Sequence, residues 1–372
     1  MNRATFFFLV IASVTSLPAQ NRPEPSERFD RWDRNGDGKL AREELPAPLR
    51  RNFERVDRDG DGFISRKEDA LVSNRNREPR GGESPEGVQV LADIDYAGTD
   101  NPRQKLDLYL PEERAENSEP LPLLVFIHGG GWRNGDKASG RQRVLSFVRS
   151  GNYAAASIGY RLSGEAQWPA QIHDCKAAIR WLRGNAEDHG IDPDRIAVWG
   201  TSAGGHLVAM LGVSHGVEEL EGSIGDHVTE SSEVTCVVNF FGPSDLLTMG
   251  DHPSRIDHDA PDSPESLLVG GALQDHPEKA KSASPLHWVS SDDEPSLIVH
   301  GTADMLVPYP QSVALEKALE EAGVPTVLLT VEEGGHGQGF GPTVQQAVTT
   351  FLAHHLLGEE EVPEDGTVAK GE

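Results

Sequence analysis

One five-residue word, Gly-Thr-Ser-Ala-Gly at 200–204, restricts this chain more than any other feature. It joins an apolar run, Arg-Ile-Ala-Val-Trp at 195–199, to a helical pattern that opens Gly-His-Leu-Val-Ala-Met-Leu at 205–211. A serine between a buried strand and a helix is held on a sharp turn, with its hydroxyl presented outward. Gly200 and Gly204 lack a Cβ, so the strand and helix backbones can approach there. A second glycine word, His-Gly-Gly-Gly-Trp at 128–132, ends another apolar run about seventy residues upstream. Two strand-to-glycine turns so paired call for an open α/β sheet in which both turns emerge at one edge.

The rest of the sequence from residue 88 agrees. Stretches 88–96 and 106–110 read as an antiparallel opening pair, and apolar strands follow at 121–127, 154–160, 195–199, 235–241, 296–300 and 326–331. Helical patterns at 141–150, 170–184, 204–213, 310–322 and 342–356 lie between them. Strands alternating with helices predict a mostly parallel sheet covered by helices on both faces. Ligands in such sheets bind at the carboxyl ends of the strands. The stretch 246–291 is rich in Asp, Ser and Pro and reads as an insertion or cap over the site. After residue 358 the chain is acidic and is expected to be disordered.

The amino-terminal part is of another kind. Residues 1–19 carry Arg3, a short apolar stretch and Leu17-Pro18-Ala19, the pattern of a secretory signal, so a secreted or periplasmic protein is expected. At 33–44 a twelve-residue loop places oxygen donors where calcium needs them: Asp33, Asn35 and Asp37, the Lys39 carbonyl, and a bidentate Glu44, with Gly38 at the sharp turn. The loop at 57–68 repeats the pattern with Asp57, Asp59, Asp61, the Phe63 carbonyl and Glu68. Leu40 and Ile64, at the eighth position of each loop, should pair the loops through a short two-stranded contact. Residues 25–75 resemble a small all-α EF-hand pair, with Pro46 and Pro48 curtailing the helix that leaves the first loop. Two structural calcium ions, with no part in catalysis, are expected. Residues 76–87 read as a polar linker to the domain at 88–357.

The chain's net charge of −26 lies wholly outside residues 20–75, where thirteen basic side chains balance thirteen acidic ones. So acidic a surface repels nucleic acid and anionic lipid, and no partner of either kind is expected. No stretch after the signal reaches membrane-span length, so no membrane insertion is expected. Calcium would make the first module basic, which favours docking to its own acidic neighbour or to another acidic surface. Cys175 and Cys236 are expected to be separate buried thiols.

Residues 88–357 resemble the α/β-hydrolase carboxylesterases, particularly the bacterial feruloyl/acetyl-xylan esterase-like branch. The resemblance is carried by HGGGW (128–132), WPAQIHDCKAAIRWLR (168–183), WGTSAGGH (199–206), FFGPSDL (240–246), SPLHWVSSDDEPSLIVHGTADMLVP (284–308) and EEGGHG (332–337). It implies hydrolysis of carboxylic esters through an acyl-enzyme, with no catalytic cofactor. Acetyl or feruloyl esters of plant polysaccharide are the substrate class it suggests.

Ser202 is the expected nucleophile, and a neutral hydroxyl needs a base within reach. Among fourteen histidines His336 suits best, flanked by Gly334, Gly335 and Gly337 just beyond the last strand pattern. His128 reads as a brace for the glycine loop, His206 as packed or locally bonded, and His300 as core. Asp304, in a loop after a buried strand, is the expected orienting acid, with Asp245 as its rival or as a helix cap. From the resemblance, the amides of Gly130, Gly131 and Ala203 would stabilise the oxyanion. Trp132 would wall the acyl pocket or pack beneath the loop. A peptidase of the prolyl-oligopeptidase type and an inactive calcium-dependent binding protein are the alternative readings.

Overall fold

The computed structural model describes residues 85–114 and 118–372, together with 29, 32–33, 35, 37–45, 53–57, 61–66 and 68. The chain divides into two compact units, Met1–Gly82 and Glu83–Glu372. The expected signal at 1–19 and most of the expected linker lie outside the described residues.

In the first unit β1 (Lys39–Leu40) pairs antiparallel with β2 (Ile64–Ser65), and Leu40 faces Ile64, the predicted contact. The short helix α1 (Phe53–Val56) supplies Phe53 to a core completed by Phe29, Leu40, Leu45 and Ile64. With so few apolar side chains, this core alone gives little stability, and ligands to the loops would add to it.

The second unit is built on a nine-stranded sheet. Its strands are β3 (Val88–Asp95), β4 (Lys105–Pro111), β5 (Leu121–Ile127), β6 (Ala154–Ile158), β7 (Ile191–Thr201), β8 (Cys236–Phe240), β9 (Ser296–Gly301), β10 (Thr326–Glu332) and β11 (Gly366–Ala369). The spatial order is β11-β10-β9-β8-β7-β5-β6-β4-β3. Only the β3–β4 and β4–β6 pairings are antiparallel. The helices are α2 (Arg141–Arg149), α3 (Ala170–Gly184), α4 (Ala203–Val213), α5 (Glu218–Glu221), α6 (Pro264–Val269), α7 (Pro277–Ser282), α8 (Pro310–Ala322) and α9 (Pro342–Leu357). Two large apolar clusters line the faces of the sheet. One is centred on Leu123, Val125 and Ile127, the other on Leu124, Phe126 and Trp199. Strands buried on both faces explain the nearly continuous apolar runs of β5 and, apart from the buried Asn239, of β8.

This is the α/β-hydrolase fold, and it corrects one expectation. The segment after residue 358 is not disordered: β11 adds in parallel to β10, with Val331 opposite Val368. The Leu328 amide donates to Asp365 Oδ1, and Gly371 N donates to the Gly339 carbonyl. The acidic residues at 359–361 conceal the strand, but the β-branched Thr367 and Val368 satisfy an otherwise open edge. The cysteines are free and buried. Among the described residues no helix is long and apolar enough to cross a membrane.

Candidate active site

The chain leaves β5 toward β6 on one side and later places β7 on the other, so the crevice between their carboxyl ends is a topological switch point. Both glycine words open there. The turn after β7 is too tight for a side chain at Gly200, whose Cβ would fall on the Gly204 carbonyl. A Cβ at Gly204 would in turn fall on the Ile127 carbonyl of β5. Ser202 sits at φ 57° and ψ −122°, a conformation that costs a non-glycine residue about 1–3 kcal/mol. Its amide donates to the Phe240 carbonyl at 2.9 Å, which ties the turn to the end of β8. α4 starts at the next residue, Ala203, whose N–H therefore has no acceptor within the helix.

The His-Gly-Gly-Gly-Trp turn lies against this elbow. A Cβ on Gly129 would meet the Thr201 carbonyl at 2.5 Å and the Ser202 Cβ at 3.2 Å. Gly130, Gly131 and Trp132 all have positive φ, at 115°, 59° and 54°. Among the described residues no backbone hydrogen bond is donated by the amides of Gly130 or Gly131 in this turn. His128 braces it as expected: Nδ1 donates to the Gly129 carbonyl at 2.8 Å, and burial lowers the ring's pKa to about 4. Sequence reasoning missed the second brace, Tyr160. Its ring stacks on His128 at 4.3 Å, and its hydroxyl donates to the His128 carbonyl at 2.9 Å.

The structure brings Asp304 and His336 together, with Oδ2 and Nδ1 2.7 Å apart. A carboxylate accepts, so Nδ1 carries the proton and Nε2 is the ring's remaining basic nitrogen. Asp304 Oδ1 accepts from the amides of Leu306 (2.8 Å) and Val307 (3.1 Å). Burial pushes this carboxyl up, but hydrogen bonds from His300 and His336 and the Leu306 amide outweigh it and hold the group well below the usual carboxylate range. His300 is in the core, yet its Nε2 lies 3.4 Å from Asp304 Oδ2 while it donates to the Val307 carbonyl at 3.0 Å. That link was missed, although a histidine four residues before the acid was its visible signal. Phe241, the residue after β8, packs on the His336 ring at 4.4 Å and so places the imidazole beside the strand end that anchors Ser202.

The other candidates resolve into supports. Asp245 caps the 3-10 turn Leu246–Asp251, accepting from Leu247 N at 3.1 Å. Trp132 is buried and packs against His206. His206 is packed, as expected, but its ring bonds over long range: it joins Trp132 and Ala283, 74 and 77 residues away in sequence. In the segment 246–291, Pro264 lies 3.4 Å from where a Gly131 side chain would begin, so this stretch reaches the glycine turn. The 168–183 motif is structural, since Asp174 is fully buried and clamped by Arg161 and Gln104.

In the calcium-type loops, Gly38 and Gly62 adopt φ 79° and 84° at the sharp turn. Asp33 accepts from Gly38 N and from Asp37 N, while Asn35 Oδ1 also accepts from Asp37 N. Asp57 accepts from Gly62 N, and Asp61 from Phe63 N. Glu44 and Glu68 each fold back onto the amide three residues earlier, Ala41 and Ser65. The Lys39 and Phe63 carbonyls follow the turns, and Asp59 lies outside the described residues. The donor set is all oxygen and mostly carboxylate, which fits calcium.

The chain is similar to known families and esterases. The BD-FAE family matches residues 106–319, a TAP-like protein family matches 274–368, and an EF hand matches 50–68. Esterase LipC of Mycobacterium tuberculosis is 31% identical over 260 residues, spanning 68% of this chain and 62% of its own length. Esterase LipQ of the same organism is 30% identical, spanning 72% and 62%. The chain thus matches about three fifths of the length of these curated relatives. Among solved structures, a truncated carbohydrate esterase from gut microbiota is 34% identical with a TM-score of 0.68, covering 74% of this chain and 99% of that one. A thermophilic esterase from Thermogutta terrifontis with bound propionate is 29% identical with a TM-score of 0.58, covering 76% and 98%.

Proposed function

This chain belongs to the BD-FAE family, and from that membership and the site we propose that it is a serine carboxylesterase. One observation carries the reading: a strained serine, a hydrogen-bonded aspartate–histidine pair and a glycine turn at positive φ share the carboxyl edge of one sheet. Ser202 Oγ attacks the ester carbonyl while His336 Nε2 takes its proton. Asp304 holds the ring in the tautomer that leaves Nε2 free and stabilises the imidazolium. The carbonyl oxygen, now negative, accepts from the amides of Gly130, Gly131 and Ala203, each worth about 3 kcal/mol in the transition state. The imidazolium returns its proton to the leaving alcohol, and an acyl-Ser202 ester remains. Water, deprotonated by His336, then attacks the acyl carbon, releases the acid and restores the serine hydroxyl. No metal is required for these steps.

We further propose that the substrates are acetyl or feruloyl esters of plant polysaccharide, reached by a protein exported through residues 1–19. The likeness to a carbohydrate esterase and the sequence resemblance support that class. Calcium, held by Asp33, Asn35, Asp37, Lys39 and Glu44 and by Asp57, Asp59, Asp61, Phe63 and Glu68, would cross-link the loops of the first unit. That unit would then serve as a structural module that docks to its own acidic domain or to another acidic surface.

The test is a panel of p-nitrophenyl acetate, acetylated xylan, feruloylated sugars and an aminopeptidase substrate, run with wild type and Ser202→Ala. Ester turnover that vanishes in the variant is expected. Turnover unchanged by the substitution, or turnover of the peptide substrate alone, would sink the assignment.

A further inference from the structure

We propose that His206 is a positioning residue that locks the glycine turn at 129–131, fixing the amides that meet the developing oxyanion. The proposal deepens the ester-hydrolysis reading and rests on it. Three consecutive residues of the turn, Gly130, Gly131 and Trp132, occupy the positive-φ region. For the tryptophan this is a strained backbone, and such a conformation persists only where the surroundings over-determine it.

The surroundings that do so converge on one imidazole. Trp132 is 1% exposed, and its indole Nε1 donates to His206 Nδ1 at 3.2 Å, the rings meeting edge to face at 5.1 Å. His206 Nε2 lies 2.6 Å from the Ala283 carbonyl oxygen. A carbonyl can only accept, so Nε2 carries the proton and Nδ1 is left as the acceptor that Trp132 needs. One tautomer therefore serves both partners. Burial favours the neutral ring and lowers its pKa to about 4, so that tautomer persists at neutral pH.

The placement of His206 gives the lock its reference frame. It stands one turn beyond Ser202 on α4, the helix whose first residue, Ala203, supplies the third proposed oxyanion donor. The Ser202 carbonyl accepts from the His206 amide at 2.9 Å. The imidazole thus ties the turn after β5 directly to the helix that carries the nucleophile. Ala283 fixes the other side of the ring, and Trp168 packs against it at 5.7 Å. Loss of the Trp132 contact would free the turn to relax, and a displacement of about 1 Å at such a site costs up to about a hundredfold in rate.

Two amide substitutions separate this role from plain packing. In His206→Asn the side-chain oxygen falls near the Nδ1 position and can still accept from Trp132, but the reach to Ala283 is lost. In His206→Gln the amide nitrogen falls near the Nε2 position and keeps Ala283, but Trp132 loses its acceptor. We expect H206Q to lower kcat about thirtyfold with KM within about twofold, and H206N to lower it by less than about fivefold. Trp132→Phe should behave like H206Q, and the double variant should be no slower than either single one. Equal kcat losses in H206N and H206Q, or a W132F enzyme at full kcat, would overturn the proposal. Nitrogen-15 NMR of the wild type should show the Nε2–H tautomer at residue 206, and the Trp132 indole proton should shift in H206Q but not in H206N. The Nδ1–H tautomer would refute the lock. Should the wild type hydrolyse no ester at all, the functional reading fails, while the NMR result still judges the lock.

Discussion

The two ends of strand β9 treat a buried carboxylate in opposite ways. Glu294, two residues before the strand, and Asp304, three residues after it, are equally inaccessible at 6% and 4% exposed. Burial disfavours the charged form at both. At Asp304 two histidines and two backbone amides reverse that effect and hold the carboxyl ionised. At Glu294 burial wins, the carboxylates of Glu233 and Asp293 add repulsion, and the pKa rises to about 8 against a weaker pull from nearby amides. Neither Glu294 side-chain oxygen finds a hydrogen-bond partner among the described residues. The contrast teaches that depth in the protein does not mark a site. The carboxyl edge of this sheet is preorganised for charge, and the amino edge is merely packed.

Removing the charge at the first end should have the largest effect. Asp304→Asn preserves the side chain's shape but presents the wrong partner to His336 Nδ1, and we expect kcat to fall about 10⁴-fold on p-nitrophenyl acetate. A loss below about tenfold would mean that both carboxylates are structural, and the comparison would collapse. The turn proposed to meet the oxyanion should come next. Gly130 sits at φ 115°, and a Cβ there would fall on the Asn134 carbonyl. Gly130→Ala must move the turn, so kcat should fall about 10²- to 10³-fold, as when one oxyanion donor is lost. Wild-type kcat in that variant would show that the edge is not preorganised at this residue.

Much of this edge is legible in the sequence, for physical reasons. The strand at 121–127 and the helices near 141–149 and 170–184 emerge within a residue or two of their apolar periodicity, because burial on one or both faces writes that pattern. Asp304 and His336 can be picked out because each follows a buried run in a loop that must reach the carboxyl edge. The braces could not be read the same way. Tyr160 on His128 and Trp132 on His206 join strands or loops whose proximity depends on the crossover order of the sheet, whereas His300 on Asp304 is a local link at four residues' spacing. β7 also exceeds its apolar run: it spans Ile191–Thr201 because Ile191 pairs with Leu121 across an irregularity in register. β11 was hidden for a related reason, since four residues after an acidic stretch form a strand only where β10 offers an open edge.

Acid titration tests the ionised end without reference to rate. The folded-state pKa of Asp304 lies below the unfolded value of about 3.9, so its contribution to stability is complete above that value and is lost as pH falls toward the folded one. The Tm difference between wild type and D304N should therefore be constant from pH 7 to 5 and shrink below pH 4. A difference that stays constant to pH 2 would show that Asp304 is not held ionised by its partners.

The smallest effect belongs to the other end, and its sign is reversed. Glu294 titrates near 8 in the folded protein and near 4.5 unfolded, so between those values the folded state binds the extra proton. Stability linked to this group is complete below about pH 4.5 and declines as pH rises through 8, where a buried carboxylate with no hydrogen-bond partner among the described residues must ionise. His215 Nδ1 stands 3.6 Å from Glu294 Oε1, too far for a hydrogen bond to relieve that penalty. Glu294→Gln keeps the size and removes the ionisation. It should leave kcat unchanged and gain a few kcal/mol more over wild type at pH 8.5 than at pH 5, roughly 1.4 kcal/mol for each pH unit crossed between the unfolded and folded pKa. Urea unfolding at the two pH values reads this directly. A variant equally destabilised at both would place the Glu294 carboxylate in a compensated pair, and the amino edge would then resemble the carboxyl edge in kind.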